Sequence, residues 1–148
     1  VYYRVKVYRF HTAGGRTVEC KERRVKGAVV VDIEGKLVGG PGSENFHELV
    51  KRLLDDGEKR FVFNLEKTPW ANSTGIGLLI GALTSISREG GKIVLANGCQ
   101  RIQDILRVTR LSMIFDCYDD TERAVNEVLA ANGGGAARLG GTRSVVPI

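Results

Sequence analysis

The sequence predicts a single α/β domain: a mostly parallel β-sheet with crossover helices and an antiparallel N-terminal edge. Three observations carry this. Apolar runs at Val29 to Ile33, Phe61 to Leu65 and Ile93 to Ala96, with a shorter one from Ile114 to Tyr118, alternate with segments of helical periodicity. Strand alternating with helix makes each helix a crossover and the strands it joins parallel. The runs are continuously apolar, as strands buried on both faces are. The length, 148 residues, suits one domain of about 100 to 150 residues with an ordinary core.

In chain order, residues 1–24 alternate apolar Val1, Tyr3, Val5 and Val7 with Arg4 and Lys6, turn at Gly14-Gly15 and resume at Thr17-Val18. That pattern fits a hairpin added to the sheet edge. Val29, Val30, Val31 and Ile33 form the first buried strand, and Gly39, Gly40, Pro41 and Gly42 a loop. Ser43 stands as the N-cap of a helix whose apolar positions are Phe46, Leu49, Val50, Leu53 and Leu54, with Gly57 past its end. After the Phe61 strand, a helix from Ser73 carries Ile76, Leu79, Ile80, Leu83 and Ile86 on one face. Gly77 and Gly81 inside it each cost about 1 kcal/mol relative to Ala, which calls for close packing against the sheet or a partner. Beyond the Ile93 strand come a helix with Ile102, Ile105 and Leu106, the short strand, and a last helix with Val125, Val128 and Leu129. Asp119 and Glu122 are spaced as a capping box for that last helix. The expected division is an N-terminal arm or hairpin over 1–17, the domain over 18–131, and a flexible Gly-rich tail over 132–148.

The formal charge of +5 is unevenly placed. Residues 1–24 hold seven Lys/Arg against Glu19 and Glu22, residues 25–131 hold 13 against 15 acidic residues, and 132–148 add Arg138 and Arg143. The basic excess belongs to the ends, whereas a nucleic-acid module carries its basic patch on the folded face; direct nucleic-acid binding is not expected. No window approaches the roughly 18 apolar residues of a membrane span, and the start lacks the order of a signal peptide, so the expected location is cytoplasmic. Cys20, Cys99 and Cys117 form neither a CxxC nor a Cys/His spacing, which argues for reduced thiols and against a metal site. His11 and His47 are the only histidines; one lies in the arm and one on the exposed side of the first helix, and no nucleophile-elbow motif surrounds Ser73. No catalytic residue, metal or cofactor is expected.

The most informative segment is Trp70-Ala71-Asn72-Ser73-Thr74-Gly75-Ile76-Gly77, which places two adjacent hydroxyls at a strand-to-helix turn. A phosphate there faces unpaired N–H groups and the positive end of the helix dipole. The commonest reason for a Ser at this point is capping. A dinucleotide fingerprint fails: its third Gly falls at Ile80, and Ala96 and Asn97 occupy the region that needs an acidic ribose ligand.

The turn resembles the Asp-Ser-Ser-Gly-Leu-Gly signature of STAS-domain anti-sigma-factor antagonists, read here as Asn72-Ser73-Thr74-Gly75-Ile76-Gly77. The resemblance extends over about residues 18–131 through the strand and Gly-x-Leu turn of Val29 to Leu37, the helix from Ser43, the Gly90 to Asn97 stretch and the Arg107 to Leu111 run. It implies a non-enzymatic protein that binds an anti-sigma factor with serine kinase activity and releases it when phosphorylated on Ser73, with Thr74 as the alternative acceptor. It further implies partner contacts by Lys36, Leu37, Asn72, Thr74, Gly75 and Ile76; Trp70, just before the turn, is either a core anchor or a further residue of that interface. The departure is Asn72, where the family pattern has an acidic residue. A homodimer, and a STAS scaffold or sensory domain whose turn is not phosphorylated, as in stressosome-like assemblies or transporter regulators, stay open.

Overall fold

The structure, a computed structural model, describes residues 6–11, 17–38, 43–97, 104 and 116–130. Among them run β1 (Lys6–His11), β2 (Thr17–Val25), β3 (Ala28–Glu34), α1 (Ser43–Asp55), β4 (Arg60–Asn64), α2 (Ser73–Arg88), β5 (Lys92–Ala96), β6 (Cys117–Tyr118) and α3 (Thr121–Ala130). The sheet order is β1-β2-β3-β4-β5-β6. β1 to β3 pair antiparallel, and β3 to β6 pair parallel. The crossover architecture and the antiparallel N-terminal edge expected from the apolar runs are therefore both present.

Strand parity divides the core. Val29, Val31 and Ile33 of β3, Phe61 and Phe63 of β4, and Ile93 and Leu95 of β5 face one side, where Phe46, Leu49, Leu53, Ile76, Leu79 and Ile86 of α1 and α2 cover them. The alternate residues Val30, Val62, Val94 and Ala96 meet Ala124, Val125 and Val128 of α3 on the other side. Continuously apolar strands follow from this two-sided burial.

The hairpin extends the larger core: Phe10 meets Phe46 edge-on at 6.2 Å, and Phe46 meets Phe63 at 5.9 Å. Such pairs are worth about 0.5–1.5 kcal/mol beyond the area they bury. Beside Phe10, the Tyr8 hydroxyl donates to Glu22 at 3.0 Å, and Arg24 reaches the same carboxylate at 2.9 Å. These bonds let Glu22 sit buried inside the sheet edge.

Two capping expectations are corrected. α3 begins at Thr121, and Asp120 rather than Asp119 caps it, its carboxylate accepting from Arg123 N at 2.7 Å. At α2 the cap is Asn72 rather than Ser73. Cys20 is a free, buried thiol, pushed up to about 12 by desolvation and secondarily by the Asp32 charge. Cys117 is disulfide-bonded, which corrects the expectation of reduced thiols; its bonding partner lies outside the described residues. So do the Gly39 to Gly42 loop, all but Asp104 of the helix expected around Ile102 to Leu106, the Arg107 to Leu111 run and the tail. No described helix is long and apolar enough to cross a membrane.

Candidate functional site

The segment from Leu65 to Asn72 leaves β4 and lies against the end of β3 and the residues after it. Gly35 N donates to Lys67 O at 3.0 Å, Leu37 N to Trp70 O at 2.9 Å, and Asn72 N to Leu37 O at 3.2 Å. Leu37 and Ala71 form a parallel bridge. The Thr68 hydroxyl, 1% exposed, donates to Ile33 O at 2.7 Å. Two stretches that appear as separate loops in the sequence are one hydrogen-bonded unit.

Two glycines make this possible. Gly35 has φ +122°, a conformation that strains any side chain. At Gly75 a Cβ would stand 1.8 Å from the Leu37 carbonyl oxygen, so only Gly lets the first turn of α2 rest on that backbone. Gly81 packs on the His47 ring, 2.9 Å from where its Cβ would be, whereas Gly77 has nothing within 4 Å. Of these two helix-interior glycines, close packing among the described residues is found at Gly81 only, and it is against α1 rather than the sheet or a partner.

Asn72 has extended backbone, and its side-chain oxygen accepts from Gly75 N at 2.8 Å. Ile76 N donates to Asn72 O at 2.9 Å, starting the helical ladder. Ser73 and Thr74 are therefore the first two helical residues, both exposed, with hydroxyls that no capping bond holds. Their own N–H groups precede the ladder and lie outside the cap. α2 has no acidic residue in its first turn, so nothing on the helix offsets the positive end of its dipole.

The residues expected at the partner surface divide by burial. Lys36, Trp70, Ser73 and Thr74 are exposed, Trp70 at 51%, and Asn72 is half-buried. Leu37, Gly75 and Ile76 are buried. The Leu37 and Ile76 side chains belong to the core and lie beneath the rim that the exposed residues form. Sequence reasoning missed Thr68, whose burial no periodicity marks. It also missed Asn72 as the cap, although an Asn immediately before a helix start is a legible signal. Among the described residues no His/Cys/Asp/Glu group could hold a metal.

The α/β domain thus presents two hydroxyls, engaged by no bond among the described residues, at a backbone-seated helix start. The STAS domain model matches residues 21–124, and the chain belongs to the STAS domain family. A Thermotoga neapolitana protein assigned as an anti-sigma factor antagonist is 28% identical over 89 residues, 57% of this chain and 79% of that protein. The anti-sigma-B factor antagonist of Staphylococcus aureus is 25% identical over 75 residues, 51% of this chain and 69% of its own. Among solved structures, the anti-sigma factor antagonist SpoIIAA in its unphosphorylated form superposes with a TM-score of 0.60 at 19% identity, covering 76% of this chain and 99% of that one; that likeness concerns the fold.

Proposed function

We propose that this STAS domain is an anti-sigma factor antagonist whose grip on an anti-sigma factor with serine kinase activity is switched by phosphorylation of Ser73. The observation that carries the reading is the exposure of the Ser73 hydroxyl, free of the cap that Asn72 supplies, on a rim shared with Lys36, Trp70 and Thr74. Unphosphorylated, the rim is a surface a partner desolvates cheaply, with an aromatic side chain suited to anchoring contacts. A phosphate adds about −1.5 to −2 charges at pH 7 and leaves an anion that the partner must either pair or expel. The Ser73 and Thr74 N–H groups and the helix dipole stabilise that anion on this chain. ATP belongs to the partner; this chain supplies only the acceptor hydroxyl.

The test is to incubate the protein with ATP and the kinase-like anti-sigma proteins of its own genome and to locate phosphate by mass spectrometry. Ser73→Ala should bind but resist labelling, Thr74→Ala should label nearly as wild type, and Ser73→Asp should bind about tenfold more weakly or worse, a loss of about 1.4 kcal/mol. Labelling of Ser73→Ala with none of Thr74→Ala would move the switch to Thr74. Absence of labelling at either hydroxyl, with no kinase-like partner bound, would favour an unphosphorylated scaffold.

A further inference from the structure

On the sheet face opposite α2, a chain of side-chain hydrogen bonds crosses from β2 to the start of α3. Arg23 grips Asp32 through Nε at 2.7 Å and Nη2 at 3.1 Å. Asn64 Nδ2 donates to Asp32 Oδ1 at 2.7 Å. Asn64 Oδ1 accepts from Asn97 Nδ2 at 2.8 Å, and Asn97 Nδ2 also reaches Thr121 Oγ1 at 3.1 Å. A branch leaves this chain: Asn64 Oδ1 accepts from the backbone N–H of Glu66 at 3.1 Å. Glu66 opens the segment that delivers Trp70, Asn72 and Ser73.

We propose that Asn64 is a positioning residue that fixes the start of this segment and thereby the presentation of Ser73. Asn64 follows Val62 on the side packed by α3 and is only 9% exposed. An apolar residue would continue that column without desolvating a carboxamide. What it could not do is accept from Glu66 N while holding Asp32 and Asn97 in place. Both lone-pair positions of the Asn64 oxygen are used and one of its N–H groups is engaged, so the site is tightly specified. Asn97 has φ +61°, a left-handed conformation that Asn tolerates better than most residues, and its carboxamide is thereby brought to bear on Asn64. The segment thus has two independent attachments: backbone bonds to Gly35 and Leu37 on one side and the Asn64 carboxamide at its root.

The part of this inference that concerns labelling rests on Ser73 as acceptor; the part that concerns the segment does not. Hydrogen exchange resolved by residue, together with Ser73 labelling, separates them. In Asn64→Leu the amides of residues 66–72 should exchange about tenfold faster while those of β5 keep their protection, and Ser73 labelling should slow by a similar factor. The double variant Asp32→Asn with Asn64→Asp restores a donor opposite an acceptor and keeps an oxygen for Glu66 N, so both readouts should return toward wild type. Asn97→Gly suits the positive φ and removes the bonds to Asn64 and Thr121 while leaving those of Asn64 to Asp32 and Glu66 N; its effect on residues 66–72 should be in the same direction and smaller, and it serves if Asn64→Leu does not fold. Unchanged protection over 66–72, or equal loss throughout the sheet, would overturn the inference. A loosened segment with wild-type labelling would overturn its link to Ser73. A loosened segment in a chain whose Ser73 is unlabelled even as wild type would leave the positioning role standing and remove the proposed switch.

Discussion

The N-terminal hairpin and the turn at Ser73 are both projecting parts of the same sheet, and they spend their polar groups in opposite ways. In the hairpin, charged side chains find partners within the strand or on neighbouring segments: Arg9 with Glu19 at 2.8 Å, Lys21 with Glu34 at 3.1 Å, Arg23 with Asp32 at 2.7 Å, and Arg24 with both Glu22 and Glu58 at 2.9 Å. At the turn it is the backbone that is tied down, by bonds to Gly35, Leu37 and Asn72, while Lys36 and Lys67 pair with no carboxylate among the described residues. An edge whose charges answer one another presents little that a partner could read. A rigid turn with uncommitted side chains presents a defined pattern at low entropic cost.

If the turn depends on backbone seating, its most sensitive position is Gly75. Gly75→Ala drives a methyl into the Leu37 carbonyl and should destabilise by about 3 kcal/mol or more, because neither backbone can yield cheaply. Gly77→Ala, two residues on and open to solvent, should stabilise by up to about 1 kcal/mol through helix propensity. Urea unfolding of both variants checks the pair; equal effects would mean that the turn does not rest on Leu37.

The hairpin should respond to high pH through Cys20. Its thiol is pushed from 9.0 to about 12, so the folded state resists the thiolate. A raised folded-state pKa gives stability that is complete below pH 9 and lost as pH rises toward 12. At pH 11 the loss amounts to about 2 to 3 kcal/mol. Cys20→Ala has a cavity cost that does not vary with pH, and its unfolding free energy should fall less steeply between pH 9 and 11 than that of wild type. Parallel slopes would remove Cys20 from the alkaline transition.

Next in size is the cap. Asn72→Ala should cost about 1 kcal/mol, whereas Asn72→Asp keeps the acceptor for Gly75 N, gains from the helix dipole, and should match wild type or exceed it. The neutral Asn is therefore a full substitute for an acidic residue in capping. The difference should emerge after phosphorylation, when the introduced carboxylate would stand beside a dianion and disfavour the modified state; the labelled fraction at equilibrium measures it.

These contrasts also explain what the sequence could reveal. Val29 to Ile33, Phe61 to Leu65 and Ile93 to Ala96 were legible as parallel strands because burial on two faces leaves a continuous apolar run. The Ser73 turn was legible because Gly75, Gly77 and two hydroxyls cluster within a few residues. The seating of that turn was not, since the bonds from Gly35 and Leu37 are backbone bonds, which leave no trace in the pattern of side chains. Nor was Asn64, a polar residue ending an apolar run, where local pattern gives no sign that its partners come from β3 and β5. The cap of α3 was misplaced by one residue because Asp119 and Asp120 are adjacent candidates and only the chain's path into Thr121 chooses between them.

The smallest expected effect lies where the hairpin looks most bonded. Arg9 and Glu19 face each other directly across β1 and β2, yet the Arg9 side chain is 69% exposed and that of Glu19 29%. Water screens the pair and the long side chains lose rotamer freedom in forming it, so such pairs contribute about 0 to 1 kcal/mol. A double-mutant cycle with Arg9→Ala and Glu19→Ala should return a coupling below about 0.5 kcal/mol, falling further in about 0.5 M salt as screening shortens the Debye length. The hairpin should instead answer to Phe10→Ala, which removes the ring packed on Phe46 and costs about 3 kcal/mol or more. A coupling for Arg9 and Glu19 comparable to that loss would make the hairpin an electrostatic element. A small one places its stability in the aromatic contact, leaving the ion pairs to keep an exposed edge soluble and closed to other strands.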